Sequence, residues 1–340
     1  MASGNQLVLP FGPGPEKGSP EDNDPTAASW GLPSGSIAEE HRKAAECGNG
    51  KDQYLLAQMY HYGCSGVARD HVQAFVWYTA AKARGYTDAG WNLPAVSRGL
   101  SPAELAEAEF LVGNMYEESD RVPRNPREAA AWYRKAARKG HAAAQLSLGK
   151  MHETGRGLPA DIIKAHAWLA VAARQGNETA KHPMSSVLER MTESELAEAY
   201  FRLGEMYRSG KAIPTDESEA LYWHRKAAGE GNAKAEFALG EMYRFGEAVA
   251  ANASQDLQWY RKAANHGLAE AQRELGDMCL EGEGTAKNSV QGLAWLYLAA
   301  MQGAEGAESS KRHAEKRMTA TQISEATKMS REYKARIEGC

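Results

Sequence analysis

Six tryptophans stand at one register along this chain, and whatever it folds into must use that register six times. Four residues after each of Trp77, Trp132, Trp168, Trp223, Trp259 and Trp295 comes an alanine, and eight after it a glycine, in every copy. Seven residues before each Trp stands Asp70, Asn125, Asp161, Asp216, Asn252 or Asn288, side chains that accept hydrogen bonds from the free N–H groups of a helix's first turn. The spacing therefore predicts a helix that starts just after the Asx residue and stops at the glycine, whose tolerance of positive φ suits a C-terminal cap.

A second helical signature lies upstream in each copy. A small residue (Ala57, Gly113, Gly149, Gly204, Gly240, Gly276) is followed two places on by Met, and six places on by a stopping glycine except at Ser119. Glycine inside a helix costs roughly 0.5 to 1 kcal/mol relative to alanine, so its recurrence at one register asks for compensation. Close approach of two helix backbones supplies it; the expected partner surface is the flat alanine pair of the second helix, with Trp and Tyr filling around it. Each unit is then an antiparallel helix hairpin that must stack on its neighbours to bury its apolar face.

The period is 36 residues from Gly113 to Gly149, Gly204 to Gly240 and Gly240 to Gly276, but 56 from Ala57 to Gly113 and 55 from Gly149 to Gly204. The extra residues, near 87–100 and 178–191, end in capping boxes at Ser101–Glu104 and Thr192–Glu195, and a third box stands at Thr319–Gln322. An additional helix is expected after units one, three and six. After units one and three, half a hairpin should disturb the alternation and bend the stack; after unit six it should pair with a helix from Ala320 to about Lys334 in a closing hairpin over 304–337. Before unit one, residues 37–49 read as the second helix of a truncated leading unit, with Glu40 in the Trp position. Residues 1–35 hold six of the thirteen prolines and six glycines, and are expected to be a disordered tail.

The pattern written at Ala235 to Tyr243 and Asp256 to Gly267 (A-x-x-x-L-G-x-M-Y, then a helix with W-Y-x-x-A-A-x-x-G) resembles the Sel1-like repeat, a relative of the tetratricopeptide repeat, over roughly residues 37 to 337. The resemblance implies an all-α, right-handed α/α superhelical solenoid acting as an adaptor in protein complexes, of the bacterial type. Cysteine-rich secreted members of the family carry a disulfide in each repeat and are linked to β-lactam binding. Cys47, Cys64, Cys279 and Cys340 form no such pattern, and reduced thiols are expected.

A net charge of −4 gives the whole molecule no electrostatic pull on nucleic acid or anionic membrane. No apolar run approaches the ~18 to 20 residues that span a bilayer, and no secretory signal precedes the repeats, so the default compartment is the cytoplasm. Catalytic and metal-binding patterns are sparse, and neither an enzyme nor a cofactor is expected. Ser147-Leu-Gly-Lys150 matches the S-x-x-K of penicillin-recognising hydrolases, but no K-T-G accompanies it and Gly149 belongs to the repeat. No histidine pattern matches a zinc motif. The segment from Lys311 to Arg336 carries eight Lys or Arg against three Glu, which reads first as the solvated face of a cap and second as a patch for an acidic partner. Gln6, Leu7, Leu9 and Phe11 resemble the short peptide with which bacterial replication and repair proteins dock on the sliding clamp, a ligand of the apolar-anchor kind.

In hairpin solenoids the first helices line the concave face, which makes their off-core side chains the candidate contacts for a protein partner. By register these are His61, Asn114, Glu117, Lys150, Glu153, Glu205, Arg208, Glu241, Arg244, Asp277 and Glu281. Glu205 with Arg208 and Glu241 with Arg244 are three apart and can pair along one helix.

Overall fold

The computed structural model describes residues 34–339, and no strand occurs among them. Seventeen α-helices and one 3-10 turn, Glu178–Ala180, make up the regular structure. A leading helix α1 (Ser34–Glu46) begins just inside the segment read as tail. Six hairpins follow: α2 (Gly50–Tyr62) with α3 (His71–Ala83), α5 (Pro102–Glu118) with α6 (Pro126–Arg138), and α7 (Ala142–Thr154) with α8 (Ile162–Arg174). The remaining three are α10 (Glu193–Ser209) with α11 (Glu217–Gly229), α12 (Ala233–Phe245) with α13 (Ala253–Asn265), and α14 (Ala269–Glu281) with α15 (Ser289–Met301). The inserts form α4 (Ala89–Arg98) and α9 (Lys181–Leu188); α16 (Ala307–Glu315) and α17 (Ala320–Glu338) follow the last hairpin.

All six second helices are capped by the Asx side chain. Asp70, Asp161, Asp216 and Asn288 accept from the N–H three residues on, and Asn125 and Asn252 from two N–H groups each. At the other end Gly85, Gly140, Gly176, Gly231, Gly267 and Gly303 adopt φ between 76° and 88°. The turn after each glycine returns one N–H to the recurring alanine: Tyr86 to Ala81 at 2.9 Å, Asn177 to Ala172 at 3.0 Å, Leu268 to Ala263 at 3.0 Å, with the other three units alike. This is the six-to-one bond of a Schellman cap, which needs the positive φ of the glycine; the alanine contributes only its carbonyl to that bond, and each of the six alanines is fully buried.

The small residue of the first helix faces the residue that follows the Trp, and not the alanine pair. A Cβ on Gly113 would lie 2.4 Å from the Tyr133 ring, on Gly149 2.6 Å from Leu169, on Gly204 2.5 Å from His224, on Gly240 2.6 Å from Tyr260 and on Gly276 2.8 Å from Leu296. Those five side chains, and Tyr78 opposite Ala57, are all buried. The position after the Trp is therefore the deepest point of each hairpin, and glycine recurs because a side chain occupies the space of its missing Cβ.

The inserts leave the alternation of first and second helices intact. Helix α3 packs directly on α5, α8 on α10 and α15 on α17, while α4, α9 and α16 lie against the second helix just before them. The expected pairing of α16 with the last helix is replaced by both packing on α15. Helix α17 thus stands where a seventh first helix would, and Arg331 occupies the register of the notch glycine. An exposed arginine there ends the stack.

This placement explains a difference among the second helices. Where an insert lies on them they are buried nearly all round: Ala74 to Ala81 in α3, Ala165 to Ala172 in α8, Gly292 to Ala299 in α15 except at Tyr297. Three residues after their Trp stand Ala80, Val171 and Leu298. The uncovered helices carry Lys135, Lys226 and Lys262 there, each ammonium lying over its own indole at 3.4, 5.4 and 4.2 Å. Trp132 and Trp259 are half-buried and Trp77, Trp168 and Trp295 buried; Trp223, on an uncovered helix, is buried as well, packed by Tyr200, Tyr222 and Arg174.

Candidate protein-binding face

Where the deepest side chain of the hairpin is Tyr78, Tyr133 or His224, its polar tip reaches a side chain one or four places after the notch residue. Tyr133 Oη lies 2.8 Å from Asn114 Oδ1 and 2.6 Å from Glu117 Oε2. One hydroxyl proton serves one acceptor, so Tyr133 donates to Glu117 and Asn114 turns its amide N–H to the phenol oxygen. Burial holds the Tyr133 hydroxyl protonated far above the usual phenol range, and Glu117 pushes the same way. Equivalent contacts join His61 Nδ1 to Tyr78 Oη at 3.4 Å and Glu205 Oε1 to His224 Nε2 at 3.4 Å. The His224 contact holds the Glu205 carboxyl below the usual carboxylate range. Burial and the neighbouring His71 lower the pKa of His61.

Charges on this face pair between units, and not along one helix as the spacing suggested. Arg208 meets Glu247 at 2.7 Å and Glu241 at 2.8 Å, both from the next unit. Arg244 reaches Glu274 at 2.7 Å and Glu283 at 3.8 Å. Glu117 faces Arg156 at 3.8 Å, and Glu153 pairs with Arg190 at the end of the second insert at 3.2 Å. The pairs 117–156, 208–247 and 244–283 are one repeating link, acid to base in the first half of the stack and base to acid in the second. Its bidentate form at Arg208 is the strongest, and the two carboxylates raise that guanidinium's pKa.

Of the remaining candidates, Asp277 contacts Arg273 and Ser310, each at 3.3 Å, and burial raises its carboxyl pKa. Lys150 and Glu281 are exposed. The serine of the S-x-x-K match hydrogen bonds toward Tyr133, which makes it part of the same packing. Gln6, Leu7, Leu9 and Phe11 lie outside the described residues. In the basic C-terminal segment Lys311 pairs with Glu308 at 2.7 Å, Lys334 lies 3.6 Å from Glu338 and Arg336 lies over the Tyr333 ring, internal arrangements that fit a solvated cap. No group of three or more metal-binding side chains occurs among the described residues, and no helix there is long and apolar enough to cross a membrane.

Reading by register selected the first-helix positions but passed over the side chains that hold them. Tyr78, Tyr133, His224 and Tyr260 were legible as the residue following each Trp; the signal was that this position is large wherever the notch is glycine.

The Sel1 repeat family model matches residues 51–86, 106–141, 142–177, 197–232, 233–268 and 269–303, more than half of the chain. Chitin synthase regulatory factor 3 of Schizosaccharomyces pombe is 29% identical over 127 residues, 32% of this chain and 14% of that protein, so the chain spans a small part of its curated relative. Among solved structures, a Sel1 repeat protein of Oxalobacter formigenes is 26% identical, covering 81% of this chain and 68% of that one, with a TM-score of 0.37. The protective antigen c5321 of uropathogenic Escherichia coli, which displays an SLR fold, is 24% identical, covering 92% and 82%, with a TM-score of 0.35.

Proposed function

Because this chain belongs to the Sel1 repeat family, whose members act as protein-interaction scaffolds, we propose that it binds a protein segment along the face formed by its first helices. The observation that carries the reading is the row, or ridge, of Asn114, Glu117, Glu153, Arg208, Glu241 and Arg244 on the first helices, with Glu117 tied to Arg156, Arg208 to Glu241 and Arg244 to Glu274 of the following unit, and Asn114 and Glu117 held from behind by Tyr133. Side chains already positioned lose less entropy when a partner orders them. Mixed charge suits a polar or zwitterionic segment better than a greasy helix. A regulatory role in the cytoplasm fits a scaffold of this kind, and the fission-yeast protein that shares a stretch with it carries a regulatory name.

Photocrosslinking tests the choice of face. A benzophenone side chain at Lys150, on the ridge, should capture partner proteins, while one at Arg134 on the exposed side of α6 should not. Capture from Arg134 and none from Lys150 would move the interface to the second helices.

A further inference from the structure

The first unit carries no charged side chain in the two ridge registers. In the two ridge registers it carries Gln58 and His61, followed by Tyr62, which is 58% exposed. A continuous series of ring contacts runs from Tyr62 to His61 (4.5 Å between centroids), His61 to Tyr78 (6.0 Å), Tyr78 to Tyr54 (5.7 Å) and Tyr54 to Tyr86 (4.7 Å). The Tyr54 hydroxyl accepts from Gln58 Nε2 at 3.0 Å, and Asn92 of insert helix α4 donates to the Asp88 carbonyl at 3.2 Å. Beside Asn92 stands Trp91, 84% exposed, the barest large apolar side chain among the described residues. Helix α4 packs inward through Ala89 and Val96, and turns Trp91, Pro94, Ala95 and Arg98 to the outside. The spacing of three, four and seven residues puts these four on one stripe.

Tyr78 within this series is fully buried, so the exposed surface is Trp91 and Pro94 on α4 and Tyr62 at the other end; exposed Trp, Pro and Tyr side chains dock proline-rich chain, whose stiff polyproline II conformation loses little entropy on binding. A proline-rich segment precedes α1 in the sequence. Residues 10–33 contain six prolines, including Pro10-Phe-Gly-Pro13 with its three-residue spacing, and the acidic run Glu21, Asp22 and Asp24. The segment joins α1 at Ser34, and α1 packs on α2, which bears Tyr54 and Tyr62. From α1 to α4 is three helix-to-helix steps, on the order of 30 Å at 8 to 10 Å each. Twenty residues of chain can span at most about 70 Å when fully extended, which exceeds that distance. Lys82 and Arg98, both exposed near α4, offer cations to the acidic run.

We propose that the proline-rich segment of residues 10–33 docks on the aromatic stripe of unit one and α4, as an intramolecular occupant of the end of the solenoid. The proposal is independent of the charged ridge of units two to six. Lys17 is the single Lys or Arg in residues 1–33, which gives a direct readout: the rate at which trypsin cuts there in the full chain. Cleavage at Lys17 should be about fivefold or more slower in the wild type than in the Trp91→Ala/Tyr62→Ala double variant, because a tethered ligand has a high effective concentration. Both replaced side chains are largely exposed, so the helical melting curve should stay the same. A synthetic peptide of residues 5–16 in excess should raise the wild-type rate to that of the variant. Equal cleavage rates in wild type and variant would overturn the proposal, as would a rate the peptide leaves unchanged. Protection that grows with protein concentration would assign the stripe to a second copy and overturn the intramolecular docking.

Discussion

Gly113 and Tyr133 share one space: the tyrosine ring lies where an alanine's Cβ would be, 2.4 Å away, and its hydroxyl continues past the glycine to Glu117 at 2.6 Å. One contact thus sets the approach of two helices and fixes a side chain of the proposed binding face. Substitutions at this register affect packing and the outer surface together.

Replacing Gly113 with Ala should destabilise unit two by about 1 kcal/mol net, since overpacking of a closed site costs about 1 to 3 kcal/mol and outweighs the roughly 1 kcal/mol gained in helix propensity. Gly229 ends α11 with nothing within 4 Å of its would-be Cβ. Gly229→Ala should therefore stabilise, by about 0.5 kcal/mol. Thermal unfolding with hydrogen exchange, which resolves the affected unit, checks both signs.

The same register in two second helices should respond oppositely. Val171 is fully buried in the core it shares with Leu203, Tyr207 and Trp223, and Val171→Lys should cost about 3 kcal/mol or more by burying an unpaired ammonium. Lys262 is exposed over Trp259 at 4.2 Å, and Lys262→Leu should change stability by no more than about 0.5 kcal/mol. Urea unfolding of the two variants, followed by circular dichroism, distinguishes a covered helix from an open one.

A double-mutant cycle on Arg208 and Glu247 should give a coupling of about 1 kcal/mol that weakens as salt rises, as expected for a half-buried bidentate pair. Zero coupling at low salt would remove the link between units four and five from the account of what holds the ridge.

His166 sets an acid limit. Its ring is buried against Tyr200, 5.8 Å away, and burial lowers its pKa from 6.5 to about 4, with Lys226 adding to the shift. The folded state binds this proton more weakly than the unfolded one. The histidine's contribution to stability is therefore complete above pH 6.5 and is lost as pH falls toward 4, by about 2 kcal/mol at pH 5. Comparing unfolding at pH 7.5 and 5 in the wild type and in His166→Phe should show the difference shrinking by that amount in the variant.

What the chain determined alone is the set of local rules. Asp or Asn seven before the Trp, alanine four after it and glycine eight after it specify a capped helix through contacts within a few residues of each other, so hairpins, helix boundaries and the extra helices were all readable from spacing. Even the difference between covered and open second helices was written in Lys135, Lys226 and Lys262 against Ala80, Val171 and Leu298. The tertiary structure decided what lay between elements. That Gly113 meets Tyr133 and not an alanine pair, that Arg208 pairs with Glu247 thirty-nine residues away and not with Glu205, and that the inserts lie outside the alternation all depend on the rotation and offset of packed helices. Periodicity identifies which residues share a face. It leaves open which neighbouring helix that face meets, because the pairing energy is settled by side-chain shapes brought together from distant parts of the chain.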